Sequence, residues 1–381
     1  MYNLAAYDFA AHIHMFKWKD LNIVLDVNSG AIHLLDEPAW CMLETMIRFQ
    51  GDLYASLEIC ARRFPQELLM ETMNEILAAY ETGALFSEEE NISLDLRQVP
   101  IKALCLNVAH SCNMRCAYCF ASQGDFGLKP ALMSLETGQE ALEFLITNSR
   151  DIEHLEVDFF GGEPLLNFEM VRELVKYGRQ REKETGKILN FTLTTNALLL
   201  DDDIMDFLVE ENLSVILSLD GRPEVNNRCR PLANGEGSYD RVLANIRRMV
   251  SRQPASHYIR GTYTRKNLDF SQDLRHIIDL GFDNLSLEPA VGSDAEFAIQ
   301  PEDLPRVLEE YEELTEALLT YIQAGRDIHF FHYDLNLQQG PCLANAAAAA
   351  GEESITWLSP RKAISIPATS WWDRRDFAWA M

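Results

Sequence analysis

The sequence is short of positive charge. Lys and Arg total 33 against 59 Asp and Glu, a formal charge of −26 over 381 residues. Nucleic acids and anionic membrane surfaces are recognised by basic patches, so neither is an expected partner. Long apolar runs are missing as well, and no stretch approaches the roughly 20 residues that span a bilayer. The opening MYNLAAYDFAAHIHMF lacks the basic start and continuous apolar core of a signal peptide. Cysteine is sparse, 8 in all, too few for a disulfide-stapled scaffold; reduced thiols in a cytoplasmic protein are expected. What the chain does have is 47% hydrophobic residues, enough for real cores, and a length that suggests two or three domains.

Residues 1–86 read as a small α+β domain. HIHMFKW, LNIVLDV and AIHLL alternate like strands, and Asn28-Ser29-Gly30 is a hairpin signal between the last two. Three helical patterns follow: EPAWCMLETMIRF, DLYASLEICARRF and PQELLMETMNEILAAYETG, with Pro65 suited to a first turn and Gly83 to a C-terminal cap. Strands then three helices predict a winged-helix-like unit. A DNA-binding role fits poorly, because residues 1–90 hold five Lys/Arg against fifteen Asp/Glu, a net of −10. A peptide added as a strand to an open sheet edge is the better partner. Residues 87–100, SEEENISLDLRQVP, have the polarity and final proline of a linker.

Beyond the linker, strands and helices alternate. ALCLNVA (103–109), LEVDFFG (155–161), NFTLTTN (190–196), LSVILSLD (213–220), YIRGTYT (258–264) and NLSLEPA (284–290) read as six strands separated by helical patterns. That order predicts an α/β domain with a parallel sheet, over residues 101–325. Chemistry in such folds gathers at the C-terminal ends of the strands.

The motifs fall there. Cys112, Cys116 and Cys119, in CNMRCAYCF, follow the first strand directly. Three thiolates in one loop can ligate three irons of a [4Fe–4S] cluster and leave the fourth iron open. Structural zinc prefers four ligands, usually two separated pairs; His110 could add a fourth but reads as a strand-end histidine. Gly161-Gly162-Glu163-Pro164 ends the second strand, Thr195-Asn196 the third and Ser218-Leu219-Asp220-Gly221 the fourth. Arg260 lies on the fifth strand, Leu287 and Pro289 on the sixth.

CX3CXYC opening a barrel, with GGEP at the end of the second strand, resembles the radical S-adenosylmethionine (SAM) superfamily. The resemblance implies a partial (β/α)6 barrel in which Cys112, Cys116 and Cys119 hold the cluster and Tyr118 belongs to the cofactor site. It implies that Gly161, Gly162 and Glu163 meet the SAM amino group. Ser218 and Asp220, with Asn196, would face the ribose and carboxylate. Arg260, with Arg230 as competitor, would reach the carboxylate, and Leu287 and Pro289 would flank the adenine. In such enzymes one electron from the cluster cleaves SAM to methionine and a 5′-deoxyadenosyl radical, which takes hydrogen from an unactivated carbon.

An acidic winged-helix-like front resembles the RiPP recognition element, which binds the leaders of ribosomally made peptides. KALCLNVAHSCNMRCAYCFASQGDFG is similar to the SPASM-group maturases of the cysteine-rich SCIFF precursors, which join a cysteine sulfur to another residue's α-carbon. This implies a Cys-rich precursor peptide whose leader binds residues 1–86, and an electron donor such as flavodoxin or ferredoxin. The resemblance runs from about residue 1 to 343. The alternatives are an anaerobic sulfatase-type maturase, which shares the barrel but would not need the front, and a non-catalytic peptide-binding iron–sulfur protein.

Cys41, Cys60 and Cys105 lie in apolar patterns and read as core residues, and Cys229 as a free thiol in a polar loop. Cys342 stands where the resembled family begins a SPASM region with auxiliary [4Fe–4S] clusters, making it a possible auxiliary ligand. No cysteine follows it, so residues 326–381 read as a remnant of that region with an aberrant tail and unassembled auxiliary clusters. Permitted codons for ITWLSPRKAISIPATSWW, read from each codon's third base, can spell YLAVTPEGDIYPCHQLVG, which resembles a SPASM opening. A frameshift, with impaired cross-linking, is the expectation.

Overall fold

A computed structural model describes residues 4, 7–88, 100–292 and 295–334, and the backbone of 363–366. The described residues divide into two compact units, one ending at residue 88 and one beginning at residue 100.

In the first, α1 (Phe9–His12) leads into a meander of β1 (Ile13–Trp18), β2 (Leu21–Asp26) and β3 (Ile32–Leu35), antiparallel throughout. The hairpin expected at Asn28-Ser29-Gly30 joins β2 to β3. Asp26, fully buried, accepts from the Ser29 N–H and hydroxyl and from both the N–H and hydroxyl of Ser87, fixing that turn. Three helices follow: α2 (Glu37–Arg48), α3 (Leu53–Cys60) and α4 (Gln66–Glu81). Asp36 and Asp52 cap the first two by accepting backbone N–H groups. Val24, Met42, Leu43, Met46 and Leu69 form the core. The strands-then-helices order matches the sequence reading, with α1 an addition. Cys41 and Cys60 are buried as expected, but they meet as a disulfide between α2 and α3 rather than as separate thiols. Two apolar helix faces packed together put the sulfurs side by side, which spacing within either helix does not reveal.

The second unit is a parallel sheet with intervening helices. Its chain order is β4 (Ala103–Ala109), α5 (Leu135–Asn148), β5 (His154–Gly161), α6 (Phe168–Thr185), β6 (Ile188–Thr195), α7 (Asp202–Glu210), β7 (Ser214–Ser218), α8 (Pro223–Cys229), α9 (Tyr239–Ser251), β8 (Ser256–Tyr263), α10 (Phe270–Asp279), β9 (Asn284–Pro289), α11 (Leu304–Gln323), β10 (His329–Phe330) and β11 (Ala363–Ile366). The six expected strands stand side by side in chain order, with β10 added beside β9 and β11 beside β4. Every pairing is parallel. The remaining tail and Cys342 lie outside the described residues.

Strand alternation gives this sheet two different faces. Leu106, Val157, Phe159, Leu193, Val215, Leu217, Ile259 and Leu285 are fully buried in one hydrophobic core with the helices. The opposite residues are Cys105, Asp158, Thr194, Ser218, Arg260 and Glu288, and none of them is fully buried. Cys105 therefore belongs to the polar face, a correction to its reading as core. It pairs in register with Asp158, and burial together with that carboxylate pushes its thiol well above the ordinary range.

Candidate functional site

The cysteine loop leaves β4 at Ala109 and is held from three sides. On the first side, Gly162 N–H donates to the Ala109 carbonyl (2.8 Å) and Glu163 N–H to the Ser111 carbonyl (2.9 Å). These bonds need close approach. Gly161 has φ +133°, and a Cβ there would meet the Ala109 oxygen at 2.5 Å. A Cβ on Gly162 would collide with the Ser111 oxygen, and one on Gly124 would sit 2.6 Å from the Cys112 Cβ. Only glycine lets the end of β5 and the following loop wrap Cys112 this tightly.

On the second side, Asn196 donates from Nδ2 to Asn113 Oδ1 (2.7 Å) and contacts Cys112 Sγ (3.7 Å). On the third, Cys229–Leu232 runs along the loop. Arg115 N–H donates to Pro231 O (3.0 Å), Ala117 N–H to Cys229 O (2.8 Å), and Met114 bridges to Leu232. Cys229 is a free cysteine, as expected, but it does not lie in a polar loop. It ends α8 and is fully buried.

Tyr118 and Asp220, both expected at the cofactor, meet each other. The Tyr118 hydroxyl donates to Asp220 (2.9 and 2.7 Å) and accepts from Arg230 Nη1 (2.9 Å). Asp220 has no exposed surface, also accepts from Thr262 N–H (3.1 Å), and lies 3.7 Å from Arg230. Burial raises its carboxyl to about 6, against the opposing pull of Arg230. Glu163 is buried as well. Its carboxylate accepts from Thr195 Oγ1 (2.7 Å), Asn196 N–H (2.8 Å) and Leu165 N–H (3.1 Å), while burial pushes its pKa up.

Ser218 and Arg260 are register partners on β7 and β8, both on the polar face, so their side chains rise beside one another at the C-terminal end of the sheet. Leu287 is not with them. Alternation along β9 turns it to the apolar face, where it is 1% exposed and packs in the core. It does not share the face of Ser218 and Arg260, contrary to its expected place against an adenine. His110 is a buried strand-end residue whose ring tilts on Phe126 (centroids 5.2 Å apart). What the sequence did not suggest is the Cys229–Leu232 clasp and the Asn113–Asn196 bond. Both join segments more than eighty residues apart, and neither leaves a local pattern.

The donor set fits an iron–sulfur cluster. Cys112, Cys116 and Cys119 are free, partly accessible and on one loop. Burial raises the Cys112 thiol and pushes Cys116 up to about 12, so both become good ligands only when a metal offsets the desolvated thiolate. Among the described residues no three His, Cys, Asp or Glu side chains converge on one ion position. A [4Fe–4S] cluster takes one thiolate per iron, so three thiols on one loop suit three of its irons.

Residues 106–266 match the family model of the Radical SAM superfamily. An uncharacterized protein of Methanocaldococcus jannaschii is 28% identical over 189 residues, 49% of this chain and 62% of its own length. The cysteine-type anaerobic sulfatase-maturating enzyme of Clostridium perfringens strain 13 is 30% identical over 146 residues, 38% of this chain and 39% of that protein. The chain thus spans less than two thirds of either relative. Among solved structures, native anSMEcpe with bound AdoMet and the Kp18Cys peptide aligns with a TM-score of 0.55. It is 20% identical and covers 62% of this chain and 65% of that one, a likeness of fold. The family-model match runs from β4 through β8 of the parallel sheet.

Proposed function

We propose that this chain is a radical SAM peptide maturase that installs thioether bonds, cysteine sulfur to α-carbon, in a ribosomally made Cys-rich precursor. The observation that carries the reading is one rim of the parallel sheet. There the three-thiol loop, Glu163 and the Ser218–Arg260 pair all follow or end neighbouring strands. When bound, the cluster and SAM supply reductive cleavage of SAM and hydrogen abstraction from an unactivated carbon.

The chain's own residues position and shield. Cys112, Cys116 and Cys119 hold three irons, and Gly161 and Gly162 leave room for an ammonium to approach Glu163. Ser218 and Arg260 are placed to take the SAM carboxylate as a hydroxyl donor and a guanidinium. Asn196 orients Asn113 and Cys112 from the other side. Asp220 is assigned to hold Tyr118, whose hydroxyl it accepts, beside the cysteine loop.

Residues 1–86 are assigned to the leader of the precursor. β3 is a sheet edge, with Ile32 44% and Leu34 68% exposed. An extended peptide can add there as a fourth strand, its apolar side chains covering that surface. A flavodoxin- or ferredoxin-type donor in the cytoplasm completes the assignment. No described helix is long and apolar enough to cross a membrane.

A sulfatase-type maturase is the second reading, favoured by the Clostridium perfringens relative. Anaerobic reconstitution with iron and sulfide, then SAM and dithionite, tests the enzyme: 5′-deoxyadenosine is expected, and its absence defeats the assignment. Binding of a precursor leader to the full chain separates the two maturases. Sequencing codons 340–381 is expected to reveal cysteine codons in the alternate frame.

A further inference from the structure

Arg230 is a cation in an unusual place. Its residue is 8% exposed, it sits inside the clasp that runs along the cysteine loop, and its Nε is buried without a hydrogen-bond partner. Its backbone is fixed by a chain of buried polar groups. Asp220 N–H donates to Asn226 Oδ1 (3.3 Å), Asn226 Nδ2 to Ser238 Oγ (3.1 Å), and Ser238 Oγ to the Arg230 carbonyl (2.6 Å). Carbonyls on either side of Arg230, from Cys229 and Pro231, accept the loop's own N–H groups, so the residue cannot shift without the loop.

A guanidinium this deeply buried demands a compensating anion, and Asp220 at 3.7 Å meets only part of the demand. That carboxylate is shared with the Tyr118 hydroxyl and the Thr262 N–H. Arg230 Nη1 also donates to the hydroxyl of Tyr118 (2.9 Å), the residue just before Cys119, so the remaining demand faces the cysteine loop.

We propose that Arg230 is a positioning residue for the cluster. It locks Tyr118 and the Cys116–Cys119 turn in place, and its charge raises the reduction potential of a [4Fe–4S] cluster held by that loop. The inference rests on the cluster assignment above and adds a role within it. One-electron reduction adds negative charge to the cluster, and a fixed cation in a poorly solvated site stabilises the reduced form. In the test, dithionite supplies that electron and is oxidised to sulfite.

The wild-type chain, Arg230→Gln and Arg230→Lys are reconstituted anaerobically with iron and sulfide. Iron content is measured, and dithionite titrations are followed by the electron paramagnetic resonance of the reduced cluster. Arg230→Gln is expected to show a more negative midpoint potential and a smaller reduced fraction at a fixed dithionite excess. Arg230→Lys, which keeps the charge, is expected to recover most of both. An unchanged midpoint in Arg230→Gln overturns the proposal, and so does an Arg230→Lys chain that behaves like Arg230→Gln. If Arg230→Gln takes up no iron, loading of Arg230→Lys decides: iron restored supports the role of charge, iron absent refutes it. A wild-type chain without iron refutes the proposed function itself, a failure visible before any variant is compared.

Discussion

The two faces of the parallel sheet are built from the same six strands and do opposite work. On one, Val157, Phe159, Leu193, Val215, Leu217 and Ile259 leave no surface exposed and pack against the helices. On the other, Asp158 accepts from Thr194 Oγ1 (3.2 Å), Ser218 stands beside Arg260, and Glu288 accepts from Ser286 (2.7 Å) and contacts His332 (3.3 Å). Apolar burial on the first face stabilises the fold by about 1.5–3 kcal/mol per large side chain. The second face gives up that stabilisation for hydrogen-bonding and charged side chains. Stability and chemistry are thus segregated by residue parity along each strand.

The largest blow to this division comes from the apolar face. Phe159 stacks on Phe191 with centroids 5.5 Å apart. Phe159→Ala is expected to cost about 3–5 kcal/mol through lost burial and the cavity left behind. Urea denaturation of the two chains measures it. A loss under 1 kcal/mol would mean that this face is not the stabilising one.

The polar face is expected to carry a cost that depends on pH. Burial raises the Asp158 carboxyl to about 6, above its unfolded value near 3.9. A raised carboxylate binds more protons folded than unfolded, so its contribution is present below pH 4 and is lost as pH rises through 6. Asp158→Asn removes that penalty. It is expected to exceed the wild type by up to about 3 kcal/mol above pH 7, with the gap closing below pH 4. Urea melts at pH 4 and pH 8 check the sign, and a gap equal at both would locate the cause elsewhere.

Parity also explains what could be read from the sequence. Strand positions followed from alternating hydrophobicity, and the place of the cysteine loop and its glycines at the strand ends from the motifs, because these signals are local. Leu287 was misplaced because its side chain follows the same alternation that puts Leu285 in the core. Cys105 was misplaced for the converse reason, since a small apolar residue is tolerated on the polar face. Asp220 was expected in the site, but its hydrogen bonds with Tyr118 join positions about a hundred residues apart. Arg230 follows the same rule: its residue type was visible, whereas its burial beside the loop depends on α8 and the clasp. The Cys41–Cys60 bridge needed two helices to pack before it existed.

The smallest expected effect on stability belongs to Arg260, and it separates the faces most sharply. Its side chain is exposed on the polar face, with no ion pair within 4 Å among the described residues. Arg260→Ala is therefore expected to change folding stability by no more than about 0.5 kcal/mol. SAM affinity of the reconstituted chain should fall about tenfold or more, because a charge-assisted contact to a carboxylate is worth at least about 1.4 kcal/mol. Equilibrium binding of SAM and a urea melt on the same preparation read both quantities. Unchanged affinity would move the SAM carboxylate away from Arg260. Lost stability of the size expected for Phe159→Ala would mean that the polar face also holds the fold, and the segregation by parity would fail.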